Sequence, residues 1–291
     1  MNAGRSVVEV AKLKHALQVP ADATDLDFLA ALAPADVTHL RRSVDAARHA
    51  RQAGRFARLA VITRFLPVAV AARAAEAALG PLVSARTASA MEPEEASRLA
   101  ERISPEFLAE LTGHLEPTRA TAIVAGLPAD LLVAVGRRML ANGDHLTLGG
   151  FVGVMPADAS VEVVRDASGL AILEIAVHAE DPAALDEVLA GLPDATLERV
   201  LAAAGEHDRA DEAVLLMALL GLEARARLFE LLPRLDRLHQ RRLVRAVVRQ
   251  AAWEHVLPVL SRISAEALHH LVRLPEIADP DLLAGLVHDD G

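Results

Sequence analysis

Short apolar stretches with helical spacing are interrupted repeatedly by one local pattern. An aliphatic residue is followed closely by a proline, then by an acidic or small polar residue, and then by a new apolar helical stretch. The instances are LAPADVTHL (32–40), MEPEEASRL (91–99), ISPEFLAEL (103–111), LEPTRATAI (115–123), LPADLLVAV (127–135), MPADASVEV (155–163), LPDATLERV (192–200) and LPRLDRL (232–238), with ISAEALHHL (263–271) as a proline-free version. Proline fits the first helical turn, where its missing N–H has no partner, and it forces the preceding residue out of the α region. Each instance therefore predicts the end of one helix and the start of the next.

The spacing of these helix starts predicts the fold. Starts at 103, 115 and 127 are 12 residues apart, which leaves helices too short to be stable in isolation. Such helices must bury their apolar faces on one another, and no stretch shows the two-residue alternation of a β-hairpin. We expect an all-α, α-solenoid-like, right-handed stack of short antiparallel helices without a sheet.

Two long apolar segments depart from the short repeat. Residues 56–79 contain Pro67, which predicts two helices or one kinked helix. Arginines interrupt this segment, so we expect no membrane span. Residues 213–222 are apolar on all sides and predict a buried helix. Prolines at 81 and 93 suggest a boundary, with an arginine-rich N-terminal helical region over 1–90 and a helical-repeat domain over 91–291.

Composition narrows the classes of function. The 291 residues include no cysteine, which excludes disulfides, thiol nucleophiles and thiolate metal sites. The net charge of −10 argues against general nucleic-acid binding. The N-terminus lacks the long apolar core of a signal peptide, so we expect a cytoplasmic protein.

Two groups of arginines stand out in this acidic chain. Arg48, Arg51, Arg55 and Arg58 share one helical stripe, and Arg237, Arg241 and Arg245 follow one another at four-residue intervals. Arg249 continues the second stripe at the same interval, and Arg234 and Arg242 lie beside it. Such stripes could dock an acidic protein partner, an anionic ligand or a lipid head group. The alternative is that they are solvated helix faces paired with neighbouring acids.

Three further groups are weak candidates for chemistry. Glu174 and His178 lie four residues apart in an apolar helical stretch, where a carboxylate could orient an imidazole as a general base, although an exposed helix edge explains them too. Gly143, Asp144 and His145 begin a glycine-rich segment that predicts a hinge or loop, or a helix cap. Residues 206–212 are rich in acids but lack the spacing of a metal site. We predict no metal and no cofactor, because dinucleotide, phosphate-loop and zinc-protease motifs are missing.

The repeated helix starts at 103–135 and 155–200 resemble the superhelical N-terminal domain of MgtE-type magnesium transporters and the helical repeats of the flagellar motor-switch protein FliG. The segments RFLPVAVAARAAEAALGPLVSAR (64–86) and GDHLTLGGFVG (143–153) are similar to stand-alone helical proteins of actinobacteria. The first resemblance implies a compact helical stack used in regulation or protein docking; the second implies no activity.

Two functional hypotheses follow. The first is a non-catalytic interaction or regulatory module, which could form a homo-oligomer and which docks an acidic partner through its arginine stripes, because stacked helical repeats build extended surfaces. The second is a protein that binds a small hydrophobic molecule, or a cofactor-independent enzyme, with an apolar cavity between helices. The surplus of apolar residues and the pair Glu174 and His178 suggest it.

Overall fold

The computed structural model describes residues 2–274 and shows an all-α protein. Eighteen α-helices form within this range, together with a few short 3₁₀ or π-helical turns. The described residues contain no β-strand, and their one β-type contact is an isolated bridge between Val152 and Met155. The prediction of an all-α fold without a sheet is confirmed.

The chain packs into two compact units. The N-terminal unit comprises residues 2–164 together with 178–180, and within the described residues the C-terminal unit comprises 165–177 and 181–274. The boundary expected near residue 90 lies within the N-terminal unit.

The N-terminal unit contains ten α-helices. They are α1 (Asn2–Leu17), α2 (Pro34–Thr63), α3 (Val68–Ala74), α4 (Gly80–Ala88), α5 (Pro93–Ala100), α6 (Pro105–Thr112), α7 (Pro117–Val124), α8 (Ala129–Ala141), α9 (His145–Gly150) and α10 (Ala157–Val164). A π-helical turn, Ala75–Leu79, joins α3 to α4, and a 3₁₀ turn, Asp27–Ala31, precedes α2.

The C-terminal unit contains the other eight described helices. They are α11 (Gly169–Val177), α12 (Pro182–Gly191), α13 (Asp194–Glu206), α14 (Ala210–Met217), α15 (Leu222–Leu231), α16 (Arg237–Arg249), α17 (Trp253–Val256) and α18 (Ala265–Val272).

Most of the predicted helix starts fall where the proline pattern puts them. Proline occupies the first turn of α2, α5, α6 and α7, and α8, α10 and α13 begin directly after a proline. At 232–238 the proline forms only a 3₁₀ turn, and α16 begins later, at Arg237. There the Asp236 carboxylate accepts hydrogen bonds from the Leu238 and His239 backbone N–H groups, both at 2.9 Å, so a side-chain cap replaces proline as the start signal.

Of the two long apolar segments, one is split as expected and the other forms a shorter helix than expected. Residues 56–79 are split at Pro67 as expected, since α2 ends at Thr63 and α3 begins at Val68. The helix expected over 213–222 is buried, but it ends at Met217, and a turn leads into α15.

Helices two positions apart along the chain pack against each other in the N-terminal unit. Contacts join α3 to α5, α4 to α6, α5 to α7, α6 to α8 and α8 to α10. In the C-terminal unit α11 likewise contacts α13, and α13 contacts α15. This pairing of near neighbours is typical of stacked helical repeats, in which each short helix is stabilised by those on either side.

One helical run bears on the expectation that no segment spans a membrane. Val68–Ala88 is long and apolar enough to do so by length and composition alone, and 28% of its most apolar stretch is buried. A single helix of this kind is weak evidence for a span, and Arg73 lies within it. The expectations of no span and of a cytoplasmic location stay predictions.

A close approach of α11 to α13 provides a test of the packing. A Cβ added to Gly169 would lie 2.1 Å from the backbone oxygen of Arg199, which cannot move aside cheaply. We expect Gly169→Ala to lower the free energy of unfolding by about 1–3 kcal/mol through overpacking. Urea denaturation followed by circular dichroism measures this change.

The matched control is Gly54→Ala in α2, where a Cβ meets nothing within 4 Å and the helix should gain up to about 1 kcal/mol. Equal stabilities for the two variants would contradict this close contact between α11 and α13.

Candidate functional site

An apolar cavity of about 280 Å³ lies within the N-terminal unit. Side chains from the C-terminal end of α2 and from every helix from α3 to α9 line it, and none of them is charged. Alanines and one glycine account for much of the wall, and they are Ala71, Ala74, Ala75, Ala78, Ala88, Ala96, Ala100, Ala120 and Gly136. Because these side chains are too small to fill the space between the helices, the cavity follows from the alanine-rich sequence itself.

The cavity opens to solvent beside the turn that contains Pro67. Ile62, Leu66 and Leu79 line the cavity and are also 57%, 40% and 38% exposed. Phe65, which directly precedes Leu66 in the chain, is 83% exposed. A row of large apolar side chains at a cavity mouth is unusual on a protein surface and marks a place where apolar molecules can enter or dock.

Four hydroxyl groups lie on the otherwise apolar wall. Those of Thr63, Thr87 and Thr112 donate to carbonyl oxygens of their own helices at 2.9, 2.8 and 2.7 Å. The Ser84 hydroxyl is different, because its Oγ is buried and has no hydrogen-bond partner among the described residues. Ser84 as a whole is only 6% exposed. An unsatisfied buried hydroxyl costs free energy, which a hydrogen-bonding ligand in the cavity would recover.

A second, polar pocket of about 110 Å³ lies elsewhere in the same unit. It is lined by residues of α1, α2, α4, α7 and α9, by the turn 113–116 between α6 and α7, by residues 18 and 89 just after α1 and α4, and by residues 178 and 180. The lining includes four cations (Lys12, Arg41, Arg86 and Arg119), three carboxylates (Asp45, Glu116 and Glu180) and three histidines (His15, His114 and His178).

One side of the polar pocket is a closed ion-pair network. The Lys12 ammonium lies 2.8 Å from Glu9 and 3.7 Å from Glu180, and the Arg41 guanidinium lies 2.6 Å from Glu180 and 3.8 Å from Glu9. Burial raises the pKa of Glu9, but the charge of Lys12 and hydrogen bonds from Lys12 and Thr38 outweigh it, so the pKa falls below its ordinary value of 4.5. These paired charges hold α1, α2 and residue 180 together.

On the other side of the polar pocket Arg86 forms no ion pair with a described residue, although the carboxylate of Asp45 lies near it. The Arg86 guanidinium has a buried Nε that finds no acceptor among residues 2–274. Burial lowers the pKa of Arg86, and the positive charge of Arg48 lowers it further. Burial, followed by the charge of Arg86, also lowers the pKa of His114.

The first arginine stripe has two parts on α2. Arg48 is half-buried, and its Nη1 donates to the Ala16 carbonyl oxygen at 2.5 Å. Arg51, Arg55 and Arg58 are exposed, and Arg58 donates only to the Gly54 carbonyl oxygen of its own helix, at 3.2 Å. Arg51 and Arg55 form no ion pair with any residue that the structure describes.

The second stripe lies on α16. Arg237, Arg241 and Arg245 are all exposed. Arg249 of the same stripe pairs with Asp211 at 2.6 Å, and Arg242 beside the stripe donates to the Gly205 carbonyl oxygen at 2.6 Å. The sequence alone did not show which arginines of this helix make such contacts.

The candidate acid–base pair does not line the apolar cavity. Glu174 lies on α11 of the C-terminal unit, 3.4 Å from the guanidinium of Arg209. His178 lies just beyond the end of α11 and lines the polar pocket of the N-terminal unit. The two residues therefore belong to different compact units.

The glycine-rich segment forms a turn between α8 and α9. Gly143 has a φ of 73°, in the left-handed region that favours glycine after a helix end. The Asp144 carboxylate accepts a hydrogen bond from the Thr147 N–H at 3.3 Å and caps α9, and His145 is the first residue of that helix. This arrangement gives the segment a structural role as a helix junction.

No group of three or more His, Asp or Glu side chains in the described part of the chain is placed to hold a metal ion. The acids of 206–212 include Asp211 and Glu212 in the first turn of α14, where they favour the positive end of the helix dipole.

No protein-family model, curated protein or solved structure matches this chain. The resemblance to the transporter and motor-switch repeats stays a prediction, and the functional proposals rest on the geometry of the two pockets.

The closed ion-pair network predicts acid sensitivity. Because the pKa of Glu9 is lower in the folded chain, its ionised form stabilises the fold above about pH 4.5, and this contribution is lost as the pH falls below that value. We expect Glu9→Gln to lower the free energy of unfolding at pH 7 by about 3 kcal/mol, since it leaves buried Lys12 and Arg41 short of a counter-charge.

Urea denaturation at pH 7 and pH 3.5 tests this expectation. The gap between Glu9→Gln and the unaltered protein should narrow at pH 3.5, whereas the exposed control Glu101→Gln should match the unaltered protein at both pH values. A gap that stays constant with pH would show that ionised Glu9 does not stabilise the fold.

Proposed function

We propose that the N-terminal unit binds a small, largely apolar molecule that carries one hydrogen-bonding group. The observation that supports this most directly is the uncharged cavity of about 280 Å³ with the unsatisfied Ser84 hydroxyl on its wall. Concave, mostly apolar sites with few polar groups are the usual form of small-molecule sites. An apolar cavity of roughly 150 Å³ is known to bind benzene, so this space suits a ligand of about two fused rings.

The cavity supports binding rather than catalysis. Its lining offers four hydroxyls but no carboxylate, imidazole or amine to move a proton. Glu174 and His178, the residues that suggest an enzyme, lie outside it. Binding would instead stabilise the helices around the cavity, because burial of apolar surface is favourable by about 25 cal/mol per Å².

Two fluorescent probes of similar shape test the proposal. Naphthalene is a hydrocarbon, and 1-naphthol adds one hydroxyl that Ser84 could bind. We expect both to bind the unaltered protein in a fluorescence titration. Ala78→Phe should place a ring in the cavity mouth and weaken both probes about tenfold, or 1.4 kcal/mol. Ala77→Phe is the matched control, because Ala77 is the exposed neighbour of Ala78 in the same turn but does not line the cavity.

Ser84→Ala separates the role of the hydroxyl from that of the apolar wall. It should weaken 1-naphthol about three- to tenfold, which is the usual worth of a neutral hydrogen bond, and leave naphthalene unchanged. Failure of either probe to bind, or equal affinities in the Ala78→Phe and Ala77→Phe variants, would refute this site.

A second candidate function is the docking of an acidic protein on α2. It is favoured by Arg51 and Arg55, which are exposed and lie one helical turn apart without an ion pair within the described residues. In a chain of net charge −10, such a positive patch can recruit an acidic surface and orient it. It also fits the regulatory or docking role that the family resemblance implies.

A poly-glutamate peptide serves as the probe for this surface. We expect the double reversal Arg51→Glu with Arg55→Glu to weaken its binding about tenfold at low salt, and the difference to shrink as salt screens the charges. Fluorescence anisotropy measures the affinity. The control is Arg98→Glu with Arg102→Glu, which changes the charge equally at the same spacing on another exposed stretch. An equal loss in both double variants would mean that only net charge matters and would remove the docking assignment.

A further inference from the structure

The polar pocket has a feature that the proposed functions do not use. Lys12 and Arg41 share Glu9 and Glu180, and Arg119 lies 3.8 Å from Glu116. After these pairings, Arg86 and the neighbouring Arg48 face a single carboxylate, that of Asp45, with which neither forms an ion pair in the part of the chain that the structure describes.

Arg86 has no ion-pair partner among the described residues. Its Nε is buried without a hydrogen-bond acceptor among those residues, as is the Nε of Arg41, and it repels the charges of Arg48 and Arg119. A buried N–H group without an acceptor is costly, whereas a guanidinium that binds an oxyanion through two parallel N–H groups is among the stronger polar interactions in proteins. A negatively charged ligand would therefore supply an acceptor that the described residues do not provide.

The size and the surroundings of the pocket limit the ligand. About 110 Å³ is several times the roughly 10–15 Å³ that one water requires, so a small polyatomic ion fits. His114 and His15 line the same space and offer further ring N–H donors around Arg86. The planar fork of arginine matches the oxygens of a phosphate group.

We infer that the pocket around Arg86, Arg119 and His114 is a binding site for a phosphate group, supplied either as inorganic phosphate or by a small phosphate monoester. Arg86 binds the oxyanion, and Arg119 and His114 lie beside it on the turn and helix that follow α6. Asp45 opposes the anion and sets an upper limit on the affinity. Burial raises the pKa of Asp45, and the charges of Arg41 and the other nearby arginines lower it. Burial of the ionised Asp45 carboxylate therefore costs free energy.

Isothermal titration calorimetry at pH 7.5 and constant ionic strength tests the site, with inorganic phosphate and glycerol 3-phosphate as probes and chloride as the reference anion. We expect at least one probe to bind with one-to-one stoichiometry, and the tighter of the two identifies the source of the phosphate group. Arg86→Gln should weaken it about tenfold or more, which corresponds to the loss of one charge-assisted hydrogen bond. Arg102→Gln is the matched control, since it removes an exposed arginine outside the pocket.

Asp45→Asn supplies a change of opposite sign and keeps the test decisive if Arg86→Gln does not fold. Removal of the opposing carboxylate should strengthen phosphate binding several-fold. Binding of neither probe above the chloride reference would overturn the inference. So would equal affinities in the Arg86→Gln and Arg102→Gln variants, or a weaker affinity in Asp45→Asn.

Discussion

The architecture depends on one constraint, which is that most of its helices are too short to be stable alone. Helices of eight residues, such as α5, α6 and α7, gain their stability only by burying an apolar face on a neighbour. The packing of each helix on the one two positions along the chain meets this need in the N-terminal unit. Where the side chains between those helices are alanine and glycine, the same packing leaves a cavity. The packing of short helices therefore accounts for both the fold and the apolar site.

The two pockets differ in how their polar groups are satisfied. In the apolar cavity three threonine hydroxyls are already bonded to their own helices, and Ser84 alone is available. In the polar pocket Lys12 and Arg41 pair with Glu9 and Glu180, whereas Arg86 has no ion-pair partner among the described residues. Each pocket therefore contains polar atoms that are buried without a hydrogen bond, Ser84 Oγ in the apolar cavity and the Nε of Arg86 and of Arg41 in the polar pocket, and a ligand can complete such hydrogen bonding.

Local sequence patterns predicted the all-α fold and most helix starts, because proline and capping residues act within a single turn. They failed at 232–238, where the Asp236 cap rather than the proline begins α16. The pockets were harder to predict. Arg86 and Ser84 belong to no motif, and their surroundings are assembled from segments far apart in the chain, which periodicity does not describe. The surplus of alanine over 69–88 was the one local sign of the cavity.

The short return of residues 178–180 to the N-terminal unit has a consequence for the history of the chain. Glu180, which pairs with Arg41 at 2.6 Å, follows the first helix of the C-terminal unit in the chain. A gene fragment that stopped at residue 164 would encode Lys12 and Arg41 without this carboxylate. Recombination at that point is therefore disfavoured, because it would separate Glu180 from the two cations with which it pairs.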